Sequence, residues 1–333
     1  MQFNYFIGVD ISKATLDLCL FDGKHIIDQI TCDNSTTELK KLFTELKATL
    51  DWSSSLICAE HTGIYSSPLI EVSRDFQAPL WLENPAEIKL RSGVNRGKND
   101  RIDSIRIAHY AARFCDKANL VQINHPDILK LKYLTREADM YLTDRAKFKA
   151  QLKDQKDFIC PQIYKHKARR MKKAIQYLSE AIKEIDQHIK ELIKMNPILA
   201  RQFDQLTSIG GIGKKTAIQT IIATQGFTIF SDPRKFCCHA GVAPFAYLSG
   251  SSQKTSWRVS QRANKKLKKL FHMAALSAIS MEGELKEYYL RKVEEGKNKM
   301  SVINAVRAKL IHRIFAVIRD NRKYEKNYTH ALA

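Results

Sequence analysis

The chain has 333 residues, 44% of them hydrophobic and 9% aromatic, and its 55 Lys and Arg outnumber 35 Asp and Glu to give a formal charge of +20. That length holds about two or three domains with cores of their own, which excludes a single small module. The charge calls for a polyanionic partner, with nucleic acid as the first candidate and a merely basic protein as the plain alternative. No apolar run approaches the roughly 18 residues of a membrane span. The start MQFNYFIGVDIS has neither the basic opening nor the small-residue cleavage site of a signal peptide, so a cytoplasmic protein with no membrane partner is expected. The seven cysteines, Cys19, Cys32, Cys58, Cys115, Cys160, Cys237 and Cys238, are odd in number and form no CxxC pair. Neither a disulfide framework nor a zinc site is expected, and adjacent Cys237 and Cys238 read as small hydrophobes.

In chain order, the β-rich runs YFIGVDI, DLCLFD and HIIDQITC precede a helix near 35–49, the strand SLICAE, a helix near 64–76 and the strand PLWLE. Successive strands followed by helix–strand alternation predict a mixed sheet with helices packed on it, an α/β domain over 1–122. NDRIDSIRIAHYAARF reads as a helix with Asn99 as its N-cap. Its wide, mostly apolar face would carry Ile102, Ile105, Ile107, Ala108, Ala112 and Arg113.

From about 126 the chain is expected to be helical, in an arm spanning 123–197. Met171, Ile175, Leu178, Ile182, Ile185, Ile189 and Leu192 recur at spacings of four and three, the seam of a coiled coil. The partner is either an earlier helix carrying Leu131, Leu134, Ala138, Tyr141 and Leu152 or a second subunit. Asn196-Pro197 ends the arm, and a helical C-terminal section, 198–333, follows.

Asp10 ends an apolar strand, with Gly8 permitting close backbone approach; this is where an RNase H-like fold places its first metal ligand. Glu60 ends the next buried strand, although a strand-end Glu is also an ordinary residue at a loop mouth. Asp100 and Asp103 are three apart on one helix face, where like charges repel unless a cation lies between them. The helix N-terminal dipole accounts for Asp100 without accounting for Asp103. Together the four carboxylates suit Mg²⁺ or Mn²⁺ in two-metal phosphoryl transfer, which needs hard oxygen ligands.

LTSIGGIGKKTA, residues 206–217, reads as a helix-hairpin-helix whose first helix ends at Ile209. Gly211 and Gly213 would let the turn approach a phosphate, and Lys214 and Lys215 would add charge at the second helix's N-terminus. The GxxxxGK[ST] spacing of a nucleotide P-loop is absent. In AGVAPFAYLSGSSQKTSWRVSQRANKKLKKLF, Ser249-Gly250 lies in a polar loop before a basic stretch in which Arg258, Arg262, Lys265 and Lys266 are candidate nucleic-acid contacts. Ser249 is a candidate nucleophile, but Ser-Gly is also a common turn dipeptide, and on chemistry alone Ser251, Ser252 and Ser260 are equal rivals.

Taken in order, IGVDIS, AEHTGIY, KNDRIDS, LTSIGGIGKKTA and GVAPFAYLSG with its trailing basic helix resemble the DEDD transposases of the insertion-sequence one-ten family over nearly the whole chain. The resemblance implies a RuvC-like catalytic domain, a coiled-coil arm and a C-terminal transposase domain. It assigns Asp10, Glu60, Asp100 and Asp103 to the acidic tetrad and Ser249 to a serine that joins covalently to DNA. It further implies donor and target DNA, a structured guide RNA and a homo-oligomer, dimer or tetramer, with active sites shared between subunits. Residues 251–257, SSQKTSW, are less typical of that family. The reading that follows is an RNA-guided, Mg-dependent recombinase of an insertion sequence. A RuvC-like junction nuclease using water and a non-catalytic DNA-binding protein are the alternatives.

Overall fold

Period-two alternation in the first strands sorts their side chains to two faces, and both faces find helices to cover them. The structure, a computed structural model, describes residues 3–91, 100–121, 126–247, 256–259 and 263–325. It divides into two compact units, Met1–Ile123 and Asn124–Ala333.

In the first unit, β1 (Tyr5–Ile11), β2 (Thr15–Phe21) and β3 (Ile26–Asp33) form an antiparallel meander. Helix α1 (Thr36–Leu46) leads to β4 (Ser55–Glu60), and α2 (Ser67–Asp75) leads to β5 (Leu80–Glu83). Both later strands run parallel to β1, giving the order β3-β2-β1-β4-β5. Ile7, Val9, Leu16, Leu18, Ile57 and Leu80 face one way, onto Leu39 and Phe43 of α1 and Leu69 and Val72 of α2. Phe6, Cys19, Phe21, Leu56, Cys58 and Trp81 face the other way. They meet Ile88 of α3 (Pro85–Arg91) and Ile107, Ala108, Tyr110 and Ala111 of α4 (Asp100–Arg113). This is the expected mixed sheet clothed by helices.

Helix α4 sits differently from its sequence expectation. Ile102 is 40% exposed, whereas Ser104, Ala108 and Ala111 are buried. The cause is Gly8: a methyl group built there would lie 2.2 Å from both the Ala108 amide nitrogen and the Ser104 carbonyl oxygen. The helix backbone rests directly on the strand, so its small residues point inward and Ile102 turns out. The expected N-cap Asn99 lies outside the described residues.

The second unit begins with α5 (Pro126–Asp154) and α6 (Pro161–Met195), the latter about 50 Å long at 1.5 Å per residue. They pair as an antiparallel hairpin within the chain. Arg145 donates to the Ser179 hydroxyl at 3.2 Å, and the Tyr164 hydroxyl donates to the Leu152 carbonyl at 2.7 Å. Met171, Ile182, Ile185 and Ile189 of the seam are buried. The lower part of the hairpin shares one core with α7 (Pro197–Thr207), α8 (Lys214–Thr224), α9 (Pro233–His239), α10 (Lys265–Ser280), α11 (Glu284–Glu294) and α12 (Lys299–Arg319). A small hairpin, β6 (Phe245–Tyr247) with β7 (Ser256–Arg258), stands between α9 and α10 in the chain. It escaped the sequence reading because three-residue strands carry too little alternation to register.

Gly8→Ala is expected to cost at least 1–3 kcal/mol, roughly, because the obstructing atoms are backbone and α4 must shift as a body. Gly213→Ala, where a methyl meets no atom within 4 Å, is expected to cost under about 1 kcal/mol. Urea unfolding of the two variants measures the contrast, and equal midpoints would remove the close-packing account of Gly8.

Candidate active site and nucleic-acid interface

Because β1, β4 and β5 are parallel, their C-terminal ends lie along one edge of the sheet, where ligands of open α/β sheets commonly bind. Asp10 is next to last in β1, and Glu60 and Glu83 end β4 and β5. By alternation all three point to the α4 face, opposite the face carrying Val9, Ala59 and Leu80. Asp17 joins them there, directly across from Asp10 in the β1–β2 register. Asp100 and Asp103 occupy the first turn of α4.

The sequence-predicted acids therefore gather around one patch. Burial, followed by the charges of Asp100, Glu60 and Asp103, pushes the Asp10 carboxyl up from 3.8 to about 6, against a lowering hydrogen bond from the Ile11 amide. Glu60 is raised as well, by burial and then by Asp103. Asp103 has a local counter-charge, its Oδ1 lying 2.7 Å from Nη1 of Arg106 one turn on.

Sequence reasoning missed Asp17, which accepts a 2.7 Å bond from the Thr31 hydroxyl. It also missed Glu83, which accepts from the Tyr110 hydroxyl at 3.3 Å and from the Asn84 amide at 2.6 Å. The strand-ending Glu of PLWLE repeats the pattern of SLICAE and was a usable signal for Glu83. The Asp10–Asp17 pairing depends on hairpin register, which the sequence alone does not print.

By chemistry this set fits a hard divalent cation. Every donor is an oxygen, and Asp10 lies under repulsion that a cation would relieve. Among the described residues no group of three or more His, Cys, Asp or Glu is drawn together as a ready coordination cage.

In the second unit the glycine turn joins α7 to α8. Gly211 adopts φ +91°, and a methyl there would lie 2.6 Å from the Ala274 carbonyl and 2.7 Å from the Ala278 Cβ. Its close approach is to α10, a packing requirement of the fold. Gly213 precedes α8 without a capping side chain, leaving the first amides of that helix and Lys214 and Lys215 at its start. These lysines, with Lys190, Lys194, Ile193 and Phe203, line an open groove of about 590 Å³.

Lys265 begins α10 on its exposed side, whereas Lys266 pairs with Asp139 of α5. Ser249 and Arg262 lie outside the described residues, as does the side chain of Arg258. Cys237 is buried and Cys238 partly so; the described cysteines are unbridged. No described helix is long and apolar enough to cross a membrane.

Comparison with known proteins bears on both units. A transposase family model matches residues 7–161, and the model of the transposase IS116/IS110/IS902 family matches residues 204–290. A pilin gene-inverting protein of Moraxella bovis is 27% identical over 325 residues, covering 96% of this chain and 98% of that protein. A counterpart from Moraxella lacunata gives the same identity and coverage. An uncharacterised protein of insertion element IS116 from Streptomyces clavuligerus is 26% identical over 147 residues, 44% of this chain and 36% of that protein.

The acid patch sets a pH dependence. Below about pH 4 Asp10 is protonated folded or unfolded; as pH rises from 3.8 through about 6 the unfolded chain ionises it first, so its contribution to stability is lost across that window. Glu60 works in the same direction. Without divalent ions, Asp10→Asn is therefore expected to melt higher than the unsubstituted chain at about pH 7.5 and to differ little at about pH 4. Added Mg²⁺ should raise the melting temperature of the unsubstituted chain at pH 7.5 and barely move the variant. Equal Mg²⁺ responses in the two proteins would remove Asp10 from the metal site.

Proposed function

Because the chain belongs to the IS116/IS110/IS902 family of transposases, enzymes that act on DNA, we propose that it cuts and rejoins DNA through a serine–DNA intermediate, with Mg²⁺ or Mn²⁺ held by Asp10, Glu60, Asp100 and Asp103. The observation that supports the metal assignment is the gathering of those carboxylates at one edge of the sheet, where burial first and then the charges of Asp100, Glu60 and Asp103 raise Asp10 to about 6. Bound divalent ions supply Lewis acidity at the scissile phosphate and charge neutralisation around the attacking and departing oxygens.

The residues of the chain divide the remaining work. Ser249 supplies the nucleophile: its Oγ–P bond forms as one P–O bond of the DNA breaks, the serine giving up its hydroxyl proton and the departing DNA oxygen taking one up. The reverse attack by a DNA hydroxyl rejoins a strand and frees the serine, so strand exchange consumes no external energy source. Arg258, Arg262 and Lys265, with Gly213 and Lys214–Lys215 at the α8 N-terminus, hold phosphates and carry no base information. Gly211 supports that turn by packing on α10, and Lys266 contributes through its pairing with Asp139.

Sequence choice then comes from a guide RNA pairing with donor and target DNA, and the working enzyme is a homo-oligomer, dimer or tetramer. The whole-length similarity to a pilin gene-inverting protein adds inversion of a DNA segment to the reactions within reach.

Ser249→Ala tests the nucleophile. With DNA carrying the element's end, the unsubstituted protein is expected to give a protein–DNA adduct stable to denaturant, and the variant none, with DNA binding retained. An adduct that persists in the variant sinks the serine assignment. Cleavage by the unsubstituted protein without any adduct points instead to water as the nucleophile.

A further inference from the structure

A single arginine in the apolar interior of α12 has no use in the scheme above. Arg307 is 6% exposed. A guanidinium stays charged at any physiological pH, so burying one requires a compensating anion or a full set of acceptors. Among the described residues Arg307 has neither. Its Nη1 reaches the Asn304 amide oxygen at 3.4 Å, its Nη2 meets Nδ1 of His272, and its buried Nε has no partner among them. Asn304 and a neutral His272 carry no negative charge. Burial lowers the affinity of Arg307 for its proton, with no carboxylate opposing that effect. His272 is itself held down by burial and by the neighbouring Arg307. The residues outside the described set, 1–2, 92–99, 122–125, 248–255, 260–262 and 326–333, include no Asp or Glu.

The surroundings show where an anion would come from. His272 is only partly buried, so the pair lies close beneath the surface. On α10, Lys265, Lys268, Lys269 and His272 fall at positions i, i+3, i+4 and i+7, one flank of the helix, and the three lysines are exposed. That flank is tied to the turn before β6: a methyl on Gly241 would lie 3.4 Å from the Lys268 Cδ, and the Asn264 amide donates to the His239 carbonyl at 2.8 Å. Asn304 donates to the Val242 carbonyl at 2.7 Å in the same turn. A row of cations thus leads to a guanidinium that meets no anion among the described residues.

We propose that Arg307 is a phosphate-binding residue for DNA: the α10 lysine flank follows the strand, and one phosphodiester completes the coordination of Arg307 beside His272. The proposal needs only the DNA substrate of the family. It is independent of the metal site and of Ser249.

The experiment is binding of the full chain to a mixed-sequence DNA duplex in EDTA across a KCl series. Each phosphate contact contributes about 0.9 to the slope of log affinity against log salt. Arg307→Gln is expected to make that slope shallower by about one and to weaken binding several-fold at low salt, and an unchanged slope overturns the proposal. Should Arg307→Gln melt far below the unsubstituted chain, Arg307→Lys decides the matter. It keeps the charge but loses the planar fork, so the slope is retained while affinity falls several-fold; full affinity in that variant overturns the proposal. The absence of divalent ions keeps failure here distinct from failure of the catalytic reading.

Discussion

The first unit depends on one close contact, the backbone of α4 lying on β1 at Gly8. A side chain of any size there would hold the helix off the sheet and carry Asp100 and Asp103 away from Asp10. With the contact made, carboxylates from two strands and one helix share a patch, and burial together with their repulsion raises Asp10. Folding therefore assembles an electrostatically unfavourable cluster, and the apolar burial beneath it, around Trp81, Ile107 and Ala108, holds the cluster in place. Strained charge of this kind is what a cation site requires, since the relief of repulsion becomes binding free energy.

The second unit has the opposite electrostatic character. Residues Met1–Ile123 are close to balanced in acidic and basic side chains, so essentially the whole surplus of +20 belongs to Asn124–Ala333. Acid cluster and cationic surplus are thus separated along the sequence: the gathered carboxylates sit in a unit with little net charge, and the excess of cations sits in the other. Within the second unit the cations are sorted again. Lys266 is drawn to Asp139 across the arm, while Lys265, Lys268 and Lys269 stay on the exposed flank of α10.

The strands were legible because alternation of apolar residues is a local signal, and the order of Asp10, Glu60 and the DxxD pair was legible because Asp10 and Glu60 lie at strand ends and the pair lies in the first turn of a helix. What failed was long-range. Ile102 looks like a core residue on a helical wheel and is exposed because Gly8 chooses which face of α4 packs inward. Gly211 looks like a phosphate-approach glycine, yet its missing side chain makes room for α10. Asp17 needed the β1–β2 register. Arg307 was invisible because an arginine between Val306 and Ala308 is unremarkable until its neighbours in space prove neutral.

The junction between arm and C-terminal helices rests on Asn196. The Asn196-Pro197 break stops α6, and the Asn196 side-chain oxygen then caps α7 by accepting from the Ile198 and Leu199 amides, both at 3.1 Å. Its amide nitrogen donates to Asp127 at the start of α5 at 2.9 Å. One side chain, 8% exposed, therefore joins the ends of three helices. Below that joint Ile185, Ile189 and Ile193 belong to the same core as Phe236, Phe271 and Leu310, so the base of the arm moves with the basic helices. The seam that predicted a coiled coil is occupied within the chain by α5. Contact of the arm with another copy must therefore use its outer faces, where Tyr177 and, at the tip, Phe158 and Ile163 stand exposed.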